Sequence, residues 1–142
     1  MNPAAKWIMF VSLVAWLAEV DCINKSKRNK AVMPHATKCF KKYQPPPDDV
    51  KRAMSGDCMK SQQGKLLMFC TLEDMGLVNK DGTGNMDKVK KFLAVISNNQ
   101  SERKKLEKSA EECNKMAAAL KPMKIEDKVT ELCNCLHDAG AF

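Results

Sequence analysis

The chain has 142 residues, 44% hydrophobic and 29% charged, with a formal net charge of +7. Six glycines and six prolines exclude a collagen-like or low-complexity chain. The spread of apolar residues excludes disorder throughout, and the length excludes a multidomain enzyme.

The first segment, residues 1–22, reads as a secretory signal peptide. Lys6 gives the positive start, and Trp7 to Ala18 is apolar but well short of the roughly 20 residues a membrane helix needs. A cut after Ala18 would put bulky Trp16 at −3, whereas a cut after Cys22 puts Val20 at −3 and Cys22 at −1. The mature domain is then 23–142. Losing Lys6, Glu19 and Asp21 takes the net charge from +7 to +8. It also removes one of seven cysteines and leaves Cys39, Cys58, Cys70, Cys113, Cys133 and Cys135. An even number of cysteines on the secretory route suits disulfides. The product is expected to be secreted and extracellular, with no membrane span.

Apolar residues in the mature chain recur at helical spacing. Val32, Ala36, Cys39, Phe40 and Tyr43 mark a first helix, stopped by Pro45-Pro46-Pro47. Asp48 is a candidate cap for a short second helix to about Met54, ended by Gly56. A third runs from about Gln62 to Met75, with Gly76 as its C-terminal cap. Asn79 to Gly84 is a turn by residue type. Met86, Val89, Phe92, Leu93 and Ile96 define a fourth helix. After a polar loop, Ser101 is a candidate cap for a fifth helix carrying Leu106, Ala110, Cys113, Met116 or Ala117, and Leu120, closed by Pro122. Ile125, Val129, Leu132, Cys133 and Leu136 define a sixth, ended by Gly140. No strand or repeat is evident. The fold class expected is all-α, a disulfide-stapled bundle of about six helices around an apolar ligand cavity.

Motifs for chemistry are scarce, and the chain does not read as an enzyme. The only histidines, His35 and His137, lie in no recognisable catalytic arrangement, and Cys133-x-Cys135 lacks a second pair at zinc spacing. Residues 79–90 fail as a calcium loop, because Lys90 stands where a bidentate Glu is required. No metal or cofactor is expected. Basic clusters at 25–30, 38–42 and 103–105 suit a solvated face or an anionic surface. Five mature aromatics and a secretory route argue against nucleic acid. Asn24 and Asn99 each begin an N-x-S sequon.

The cysteine spacing, Cys39 to Cys70 to Cys113 and then Cys133 and Cys135, resembles that of the insect odorant-binding proteins, the pheromone and general odorant-binding type. So do the stretch Cys70-Thr71-Leu72-Glu73-Asp74-Met75-Gly76-Leu77, the Asp81-Gly82 turn and the helix start Met86-Asp87-Lys88-Val89. The resemblance covers about Ala31 to Leu136. The family's second cysteine would fall at Leu66 and its fifth at Glu126 or Lys124, so the chain resembles a subgroup lacking that pair. The pattern implies a Cys39–Cys70 bridge and a bridge from Cys113 to Cys135, with Cys133 the alternative partner. Cys58 and Cys133 are left as a substitute third bridge or as two free thiols.

What the resemblance implies is a secreted carrier of small hydrophobic ligands, such as odorants, pheromones or lipids, in olfaction or another chemosensory role. It would work as a monomer or homodimer with a chemosensory receptor as a further partner. By helical phase the expected ligand-lining residues are Phe40, Met54, Leu67, Met68, Phe92, Ile96, Met116, Leu120, Val129 and Leu132. Tyr43 is expected to donate a hydrogen bond, and Phe142 to fold over the cavity mouth, as family C-termini do. The alternative is a secreted basic effector, of salivary or venom type, acting on an anionic surface or a host protein. Its support is the charge and the basic clusters.

Overall fold

The computed structural model describes residues 23–139. The proposed signal segment and Phe142 lie outside the described residues. Six helices follow in order: α1 (Lys25–Phe40), α2 (Pro47–Met54), α3 (Gln62–Asp74), α4 (Met86–Ile96), α5 (Gln100–Ala118) and α6 (Ile125–Asp138). Among the described residues there is no strand, only isolated bridges at Ile23–Ser97 and Val78–Gly84.

Capping explains most boundaries. The side chains of Asn24, Ser61, Asn85 and Asn99 accept from the backbone N–H groups of Lys27, Gly64, Lys88 and Glu102 respectively. Two expected caps are thereby corrected. Asn99, not Ser101, opens α5, because the polar loop ends two residues earlier than its composition suggests. Asp48 lies inside α2, which starts on Pro47 at a position where the missing N–H costs nothing. Helix α1 begins at Lys25, ahead of its apolar stripe, and runs through Pro34, which stands on its exposed side. Gly76 closes α3 as expected. Its φ is +77°, its N–H donates to the Glu73 carbonyl, and the Leu77 N–H donates to the Leu72 carbonyl.

Helix packing closes a ring. Helix α1 packs on α3, α3 on α6, α6 on α5, α5 on α4, and α4 returns to α1. Helix α2 lies outside this circuit. Its buried Asp49 accepts from the backbone N–H groups of Lys60 and Ser61 and from the Ser61 hydroxyl, which ties α2 to the start of α3.

Three disulfides staple the ring, with Cα–Cα separations of 5.9 Å for Cys39–Cys70, 6.1 Å for Cys58–Cys133 and 5.7 Å for Cys113–Cys135. The first joins α1 to α3 and the third joins α5 to α6, the pairs the resemblance implies. The second joins the α2–α3 loop to α6, so Cys58 and Cys133 are neither free thiols nor partners of other cysteines. Beside it, His137 Nε2 lies 2.9 Å from the Asp57 carboxylate.

Candidate functional site

The apolar interior is divided along the helix seams. Between α1 and α3 lie Cys39, Met59 and Leu67, with Tyr43, Met68 and Cys70 half-buried against them. Between α5 and α6 lie Cys113, Ala117 and Leu132 with Val78, and Phe69, Leu72 and Leu136 pack on this group. Between α4 and α5 lie Leu93, Ile96, Leu106 and Ala110 with Ile23, flanked by Met86, Val89, Phe92 and again Leu136. Leu136 therefore joins two of the three clusters. A helix contributes one apolar stripe to each neighbour it touches, and a ring of helices places those contacts at its seams.

The expected lining residues divide by this geometry. Leu67, Ile96 and Leu132 are buried within the three clusters, and Met68, Tyr43 and Phe92 pack against them. Val129 is fully enclosed on α6, and Met116 and Leu120 are half-buried on α5 and just beyond it. Two expectations are corrected: Phe40 is 41% exposed and Met54 is 75% exposed, so both face outward. The Cys39–Cys70 bridge decides the inward face of α1 and turns the adjacent Phe40 away. In α2 the buried Asp49 takes the inward position, and Met54 is left outside. Phe69, Leu72, Met86, Val89 and Leu136, which sequence reasoning did not assign to the site, also pack against these clusters. Helical spacing carried that signal from Met86 and Val89 to Leu93 and Ile96 and from Leu136 to Leu132, while Phe69 and Leu72 stand three apart on α3.

Ion pairs reinforce the ring from outside. Asp74 on α3 accepts from His35 and from Lys38 of α1 at 2.6 and 2.9 Å. The His35 hydrogen bond is the main reason its carboxyl lies below the usual carboxylate range. Lys65 pairs with Asp127 across α3 and α6 at 2.9 Å, and Lys90 with Glu111 across α4 and α5 at 2.8 Å. A cleft of about 470 Å³ at the α4–α5 turn is lined by Ala94, Ser97, Asn98, Asn99, Gln100 and Arg103, a polar set that does not suit an apolar ligand. No group of three or more His, Cys, Asp or Glu side chains able to hold a metal occurs among the described residues. No described helix is long and apolar enough to cross a membrane.

Three disulfides, a ring of helices and apolar seams define a small, stapled, all-helical domain. The chain belongs to the PBP/GOBP family, the insect pheromone- and odorant-binding proteins, whose family model matches residues 23–139. Its fold is similar to that of a pheromone-binding protein from the cockroach Leucophaea maderae, solved in complex with the fluorescent reporter 1-anilinonaphthalene-8-sulfonic acid. The two share 17% identity over 80% of this chain and 95% of the cockroach chain, with a TM-score of 0.68. It is also similar to an odorant-binding protein from Drosophila melanogaster, at 15% identity over 83% of this chain and 96% of the other, with a TM-score of 0.63. No curated protein matches it by sequence. The family is one of binding proteins rather than enzymes.

Proposed function

We propose that this protein is a secreted carrier that encloses small hydrophobic molecules within its ring of helices. The observation that carries the reading is the closed circuit of five helices, with apolar side chains at its seams, in a chain that belongs to the PBP/GOBP family. Moving apolar ligand surface out of water gains roughly 25 cal/mol per Å². Half-buried Met68, Phe69, Leu72, Met86, Phe92 and Leu136 are the side chains we assign to that contact. Methionine among them adapts its shape to varied ligands.

Residues 1–22 are assigned as the signal peptide and 23–142 as the mature domain. The family match, which begins at residue 23, supports the boundary. Intact mass of the protein secreted from insect cells tests it directly and should correspond to a chain starting at Ile23.

The carrier reading is tested with the same secreted protein. A neutral fluorescent probe, N-phenyl-1-naphthylamine, should bind in the micromolar range and be displaced by apolar alcohols, esters or fatty acids. A folded protein that binds neither the probe nor any such ligand refutes it.

A further inference from the structure

Four of the five seams in the ring are secured by a disulfide or an ion pair. Cys39–Cys70 and Cys113–Cys135 cross two of them, and Lys65–Asp127 and Lys90–Glu111 cross two more. The α1–α4 seam is different. Among the described residues no disulfide or ion pair crosses it. It is held by the Asn24 N–H donating to the Ile96 carbonyl at 2.6 Å, by the Ile23–Ser97 bridge, and by Ile23 packing among Leu93, Ile96 and Leu106.

Arg28 stands one turn into α1 and is only 7% exposed. Its Nε and Nη2 both donate to the neighbouring Asn29 Oδ1 at 3.3 Å. Its Nη1 is buried with no hydrogen-bond partner, and among the described residues no carboxylate pairs with the guanidinium. Burial pushes the pKa of Arg28 down, yet a guanidinium stays protonated in proteins. The first turn of α1 has no acidic residue, and the positive end of the helix dipole adds to the charge of Lys25, Lys27 and Arg28. The Arg28 N–H donates to the Asn24 carbonyl at 3.0 Å, and the Asn24 N–H donates in turn to the Ile96 carbonyl, so Arg28 is rooted one helical turn from the junction with α4.

An enclosed cation without a counter-charge is costly to keep, which makes it a candidate for binding an anionic group. We propose that Arg28 recognises the anionic head group of the ligand, so that the preferred cargo is an amphiphile with one carboxylate or sulfonate on an apolar body. The proposal rests on the carrier reading and names its ligand class.

The test compares myristate with myristyl alcohol, which share one chain and differ in head group, as competitors of N-phenyl-1-naphthylamine on the secreted protein. Myristate should bind roughly tenfold to a hundredfold more tightly, the range of a hydrogen bond to a charged group. Arg28→Met should abolish the gap by weakening myristate alone, and Arg28→Lys should keep part of it. The gap should survive high salt, because a buried pair is poorly screened and exposed Lys25 and Lys27 are not. Equal affinities in the wild type, a gap that persists in Arg28→Met, or a gap that salt removes would each overturn the proposal and leave the carrier reading intact. Should Arg28→Met fail to fold, the wild-type comparison with and without salt decides. If the folded protein binds neither competitor nor probe, both readings fall together.

Discussion

Removing the Cys58–Cys133 bridge should cost more stability than removing either of the others. Its ends are 75 residues apart, against 31 for Cys39–Cys70 and 22 for Cys113–Cys135. A cross-link restricts the unfolded chain in proportion to the logarithm of the loop it closes, which gives about 4 kcal/mol for a loop of this length. The same relation puts the Cys113–Cys135 bridge about 1 kcal/mol lower. The double substitution Cys58→Ala/Cys133→Ala avoids an odd thiol that could scramble the remaining pairs. In a domain of this size each kcal/mol moves the Tm by roughly 3–5 °C, so the midpoint should fall by about 12–20 °C. Thermal melts followed by circular dichroism without reductant measure this. Urea unfolding should show a lower midpoint and a steeper m, since the freed unfolded chain exposes more surface. A loss under about 1 kcal/mol, or a larger loss on removing Cys113–Cys135, would refute the loop-entropy account.

Asp49, 5% exposed, should control part of the acid sensitivity. Burial alone raises its pKa, but hydrogen bonds from Ser61 and Lys60 and the charge of Arg52 together hold it below the usual carboxylate value. A depressed native pKa contributes stability that is present above the unfolded value and is lost as pH falls through the native one. Asp49→Asn should therefore flatten the loss of stability below about pH 4 in urea titrations, and an unchanged slope would count against that role. Gly64→Ala should destabilise α3 by about 1–3 kcal/mol in chemical denaturation despite the better helix propensity of alanine, since a Cβ there would meet the Met59 Cβ at 2.7 Å as well as the Asp49 carboxylate. Asn114→Ala should lower stability by about 1–2 kcal/mol in the same assay, because the Asn114 side chain accepts from the Gly84 N–H at 2.7 Å and anchors the turn before α4 to α5.

Helices α4, α5 and α6 were legible because each buries one apolar stripe, and Leu93, Ile96, Leu106, Ala110, Val129 and Leu132 all proved buried on schedule. The first turns of α1 were not legible, since Lys25 to Lys30 carry no apolar residue. They form because Asn24 caps them and Ile23 is anchored among residues of α4 and α5 that lie far along the chain. Arg28 misled for the same reason: a cation in a basic run reads as a solvated surface, and only packing reveals that it is enclosed. Phe40 and Met54 show the opposite error. Phase around a single helix cannot say which side will meet a neighbour until the neighbour is placed.

By itself, then, the sequence determined the all-α class, the capping glycine at Gly76 and the cysteine spacing that carries the family resemblance. These depend on periodicity and on spacing along one chain. The tertiary structure decided that α4 returns to α1 to close the ring, and that Cys58 reaches Cys133. It also left Arg28 inside without a carboxylate beside it. Those are contacts between distant residues, fixed by which apolar faces bury one another when all the helices pack at once.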